Sequence, residues 1–159
     1  MKFFYHLNLA IAVLFVGATA LPTTVAAQTP VQETAPATQT VIQSGNFVAT
    51  GEPTSGVAQM VKENGRYYLD LSEDFKTKSG PKLVVVLTNF FEPPKRLVPG
   101  TYIKLAKLQK IKGAQRYEIP STVDPNTFHS VAIWCEPFNI TFGHAMLNVV
   151  PRSIALPAK

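Results

Sequence analysis

The soft ligands and nucleophiles of this chain gather in one stretch, residues 129–144, where His129, Cys135 and His144 surround the sequence VAIWCEPFNITF. Cys135 is the only cysteine of the 159 residues and directly follows the only tryptophan. A thiol can serve as a small buried hydrophobe, as a redox centre cycling through sulfenic acid or a mixed disulfide, or as a thiolate ligand. Spacing limits the last use. If 129–135 is one extended strand, His129 and Cys135 share a face but stand about 20 Å apart at roughly 3.3 Å per residue, too far for one metal ion. With Pro137 and Phe138 as a two-residue hairpin turn, Cys135 faces Ile140 and His144 faces Val131, about 13 Å along the sheet. Only a bulged or folded-back chain would bring His144 beside Cys135, so both histidines read as strand-end or surface residues. Zinc asks for three or four protein ligands, and this set offers only three, which the spacing keeps apart. Nor does the neighbourhood activate the thiol, because Glu136 disfavours a thiolate and no basic residue lies between His129 and His144. Val131, Ile133 and Cys135 fall on one strand face, which fits core packing, with Trp134 packed on the other.

Other chemistry is thinly represented. No Gly-x-Ser-x-Gly elbow, phosphate-cradling glycine loop or His-Glu-x-x-His pair occurs. Glu73 and Asp74 are adjacent acids, a pattern that binds backbone amides in loops more often than it transfers protons. Asn139-Ile140-Thr141 satisfies a glycosylation pattern too short to carry weight. The run KLAKLQKIK, Lys104 to Lys112, alternates lysines with aliphatics but interleaves no aromatic ring for stacking bases, so it reads as a solvated face and not as a nucleic-acid track. The net charge of +5 is mild and scattered. A redox or binding module, not a catalyst with turnover, is the expectation.

The cysteine becomes unusual once the compartment is considered. Residues 1–27 open with Lys2, continue through an apolar run from Leu7 to Ala20 and end in Val25-Ala26-Ala27, the order of a cleavable signal peptide. The run is shorter than the roughly 18–20 residues a membrane-spanning helix needs. An extracytoplasmic, periplasmic or secreted, protein with no transmembrane segment after cleavage is expected. Such proteins usually pair their cysteines, and an odd one suggests intermolecular pairing, a cofactor bond or a functional thiol.

The elements that must position the thiol read as β. Residues 28–43 are rich in Gln, Thr, Ala and Pro and read as a disordered spacer, residues 44–150 as one domain, and 151–159 as a tail. Val57 to Val61 and Tyr67 to Leu71 flank Asn64-Gly65, a type I′ hairpin pair that puts Tyr67, Leu69 and Leu71 on one face. Lys82 to Thr88, KLVVVLT, reads as a central buried strand. A proline-rich loop, FFEPPKRLVPG, follows, then strands at Thr101–Leu105, Gln115–Ile119, Ser130–Cys135 and Ile140–Phe142. A short helix through Leu105, Leu108 and Ile111 is the alternative for the lysine-rich run. Six or more short strands imply an all-β, antiparallel sandwich or barrel-like single domain.

The run from Gly113 to Leu147 resembles the C-terminal half of the DM-thirteen domain, an extracytoplasmic β domain found beside DOMON domains in animal proteins and in small bacterial proteins. The likeness is carried by Gly113, Gln115, Tyr117, Ile119-Pro120, Val123-Asp124, the Val131-x-Ile133-Trp134-Cys135 strand, Phe138, Phe142-Gly143 and Ala145-x-Leu147. Gly45-x-Phe47, Asp74-Phe75, Gly80-Pro81 and Leu105-x-x-Leu108 fit the first half, while Ala106 stands where the family carries glycine. The resemblance implies an all-β electron-transfer-type domain in which Cys135 acts as a bare thiol or holds a group such as haem. His144 is then the other residue to consider at a cofactor, and the partner would be a redox or envelope protein meeting a monomeric domain. The rival expectation is a structural or ligand-binding envelope module whose cysteine is inert.

Overall fold

The computed structural model describes residues 39–151. The expected signal peptide, the first part of the spacer and all but Pro151 of the tail lie outside the described residues. The strands are β1 (Gln39–Ala49), β2 (Thr54–Ser55), β3 (Val57–Glu63), β4 (Arg66–Leu71), β5 (Lys76–Thr77), β6 (Leu83–Thr88), β7 (Tyr102–Lys107), β8 (Gln115–Ile119), β9 (Ser130–Cys135), β10 (Ile140–Met146) and β11 (Asn148–Val149). Nine of them form one antiparallel sheet in the order β7-β6-β9-β10-β1-β3-β4-β8, with β11 beside β1, and β2 pairs with β5. The sheet curls into a nearly closed barrel. Between its two ends the Tyr117 hydroxyl accepts from the Gln109 amide at 3.1 Å, and the Gln115 side chain bonds both the amide and the carbonyl of Lys110. Among the described residues no helix is long and apolar enough to cross a membrane.

Side-chain alternation builds the interior. Ala58 and Met60 of β3, Leu69 and Leu71 of β4, Val85 and Leu87 of β6, and Val131, Ile133 and Cys135 of β9 face one common core with Phe47 and Phe75. The β3–β4 turn is the expected Asn-Gly hairpin, with φ of 49° at Asn64 and 79° at Gly65, and it aligns Glu63 with Arg66. β6 is buried at every position, paired on one side with β7 and on the other with β9. Gly45 marks the closest backbone approach, since a Cβ there would stand 1.8 Å from the Met146 carbonyl oxygen. No larger residue could let β1 meet the end of β10.

Four expectations shift. β1 begins at Gln39, not Ser44, so 39–43 belong to the sheet; a register break between Val41 and Gln43 erases the apolar alternation that would have revealed them. β10 runs four residues beyond Phe142, through Gly143 and His144 to Met146. The lysine-rich run is strand β7 followed by a loop, not a helix. The β9–β10 link is a 3-10 turn over Glu136–Phe138 closed by Asn139 at φ 49°, although it still sets Cys135 opposite Ile140 as expected.

Candidate functional site

Cys135 is the last residue of β9, 1% exposed, with Leu83 of β6 opposite it on one side and Ile140 of β10 on the other. Its Sγ donates a hydrogen bond to the Pro81 carbonyl oxygen at 3.2 Å. Pro81 and Lys82, on the acceptor side of the sulfur, are themselves exposed. Lys82 has a left-handed conformation, φ 46°, and its carbonyl accepts from the Glu136 amide at 3.3 Å. The Glu136 carboxylate bridges Lys82 Nζ at 2.7 Å and Lys104 Nζ of β7. Hydrogen bonding from Lys104 and then Lys82 lowers the Glu136 pKa below its ordinary value, and the same carboxylate raises that of Lys104. A closed ion-pair triad thus straps β7, the 80–82 loop and the residue after Cys135 together.

His144 does not join this site. A bulge at Phe142 advances the β10 register, so His144 faces Ala132 and Ala145 faces Val131. Ala132 belongs with Val84, Val86, Leu97 and Trp134 to a second apolar cluster on the outer face of the sheet, whereas Cys135 lies in the barrel core. The expected Cys135–His144 pair therefore points to opposite faces. His144 is 8% exposed and shares a 2.8 Å hydrogen bond between Nδ1 and Thr50 Oγ1; burial lowers its pKa, with Glu92 pulling the other way. His129 lies at the opposite end of β9, stacked on Phe91 at 4.2 Å. Among the described residues no group of three His, Cys, Asp or Glu side chains gathers to hold a metal.

Haem at Cys135 does not fit this arrangement. A thiolate on iron needs an open face beside the sulfur, and here Leu83, Ile140 and the Pro81 carbonyl close it.

Asn139, which the sequence marks only as part of a short glycosylation pattern, holds the proline-rich loop. Its Oδ1 accepts from the Leu97 amide and from Trp134 Nε1, both at 3.0 Å, and its Nδ2 donates to the Leu97 carbonyl at 3.1 Å. These three bonds clamp the proline-rich loop onto Trp134. Its backbone is left-handed, φ 49°, a conformation Asn tolerates better than most residues.

A family model described as "Electron transfer DM13" matches residues 46–147. The chain belongs to the DM-thirteen family. The match spans β2 to β10 and the last four residues of β1, and it carries both Cys135 and Pro81. No curated protein and no solved structure gives a match. Membership makes the domain an electron-transfer-type module at the level of class.

Proposed function

We propose that this is an exported electron-transfer module whose redox group is the Cys135 thiol, held closed in the resting fold and reached through movement of the 80–82 loop. The observation that carries this reading is the sulfur's cover: a hydrogen bond to the carbonyl of one exposed loop residue, strapped by surface ion pairs. A group of that kind opens by local fluctuation at less than the cost of global unfolding. With a peroxide as oxidant, the thiolate forms an S–O bond as the O–O bond breaks, giving sulfenic acid and hydroxide. An external thiol then displaces water to form a mixed disulfide, and a second thiol releases Cys135 with its electrons restored. The test is trapping of sulfenic acid by a cyclic dione in the folded protein after peroxide treatment, with Cys135→Ser as the blank. Labelled Cys135 at native ellipticity is the expected result, and a protein that stays unlabelled and of unchanged mass with peroxide and dione present together sinks the reading.

The second reading, an envelope module with an inert cysteine, draws on the 1% exposure and the flanking Leu83 and Ile140. It predicts that a folded Cys135→Ala protein keeps its biological function and loses about 1–3 kcal/mol of stability.

A further inference from the structure

The outer face of β7, β6, β9 and β10 is covered by the proline-rich loop of residues 89–100. Leu97 turns inward onto Val84, Val86, Ala132 and Trp134. The Lys95 carbonyl accepts from the Thr141 amide at 2.8 Å, and the Pro94 carbonyl from Thr141 Oγ1 at 2.8 Å. Apart from Leu97 and the buried Pro93, residues 91–100 of the loop are exposed. Phe91 is 56% exposed and Val98 51%, and Phe138, 59% exposed, stands on the adjoining turn, where its carbonyl accepts from Arg96. These are apolar side chains on loops, Phe91 with one ring face stacked on His129. Cations surround them: Lys95 and Arg96 are exposed within the loop, and Lys104 lies over the Trp134 ring on the same face at 5.5 Å. Glu92 and Glu136 are the acids nearby, and Glu136 is already matched by Lys82 and Lys104.

We propose that this face docks on an anionic lipid surface, Phe91, Val98 and Phe138 entering the interface while Lys95 and Arg96 meet the headgroups. Aromatic and aliphatic side chains gain by partitioning into the headgroup–acyl boundary, and cations beside them are drawn to the negative surface potential. Protruding tips set in a basic surround suit a soft surface into which they can sink. A protein partner would need a matching pocket for each one. The inference is independent of what Cys135 does.

Trp134 is the chain's only tryptophan and lies directly beneath this face, 5% exposed, so its fluorescence reports docking even in the full chain with its apolar N-terminal run. Mix the full chain with vesicles of 30% phosphatidylglycerol in phosphatidylcholine, the acyl chains brominated as quenchers, and with pure brominated phosphatidylcholine. Trp134 should be quenched on the anionic vesicles and much less on the neutral ones. Phe91→Ser with Phe138→Ser, and separately Lys95→Glu with Arg96→Glu, should each weaken the apparent affinity at least about tenfold, since one cation near the surface is worth about fivefold. Arg66→Glu, on the opposite face, should change nothing. Vesicle-bound protein with unquenched Trp134 overturns the proposal, because the chain is then held elsewhere. Quenching that survives both double substitutions overturns it too, as does protein that stays free of the vesicles, which would leave the face to a protein partner.

Discussion

The two outer faces of this barrel are built from the same strand alternation but treated in opposite ways. The outward side of β3, β4 and β8 carries paired charges around Val61 and Tyr68: Arg116 reaches Asp70 through Nε and Nη2, both at 2.7 Å, and Glu63 through Nη1 at 2.6 Å, while Arg66 meets Glu118 at 3.3 Å. On β6 and β9 the outward positions are Val84, Val86, Ala132 and Trp134, which water would not tolerate, and a loop has been laid across them. The first face is finished when the strands form. The second depends on a non-local clamp between Asn139 and Leu97, and the exposed apolar tips are a by-product of that covering loop. Mutational sensitivity should therefore be lopsided.

The largest effect is expected at the clamp. Asn139→Ala strips the Leu97 amide and carbonyl and the Trp134 indole of their partner and puts a poor residue at positive φ, so stability measured by urea unfolding should fall by about 4 kcal/mol. Leu97→Ala removes the loop's buried anchor, 3% exposed, and should cost about 3 kcal/mol, with a red shift of Trp134 emission as water enters. On the paired face, Arg116→Ala should cost about 1 kcal/mol or less despite its bidentate contact, because the ion pairs are solvent-screened. A larger loss there than at Leu97 would reverse the comparison. The smallest effect is a pH slope. Burial lowers the His144 pKa below its ordinary 6.5, so the unfolded chain takes up that proton first. Stability should then decline as pH falls from about 6.5 toward the folded value and level off below it. His144→Gln should flatten this part of the profile, leaving the later acid loss from Glu136, whose pKa is also lowered in the fold.

Strand identity was legible where side chains alternate without interruption. The β8 and β9 boundaries, the Asn-Gly hairpin and the burial of Cys135 and β6 all follow from period-two patterning and turn chemistry. Bulges defeated the same reasoning. The break at Ile42 hid the start of β1, and the bulge at Phe142 moved His144 from the expected partner Val131 to Ala132, turning it away from the thiol. A bulge inserts a residue without a sequence mark when no glycine is demanded at it. The cover over Cys135 was equally hidden, because Pro81 and Lys104 are 54 and 31 positions away in the chain and meet the site only through tertiary pairing.

The central claim is that Cys135 is closed by a local cover and not by the whole fold. Thiol labelling with an aromatic disulfide reagent under native conditions, followed across rising urea below the unfolding transition, measures this directly. A rate that is slow but nearly independent of urea at low concentrations is the expected result, since opening the 80–82 loop exposes little surface. Labelling that rises with the full urea dependence of global unfolding from the lowest concentration onward would contradict the account and make Cys135 an inert part of the core.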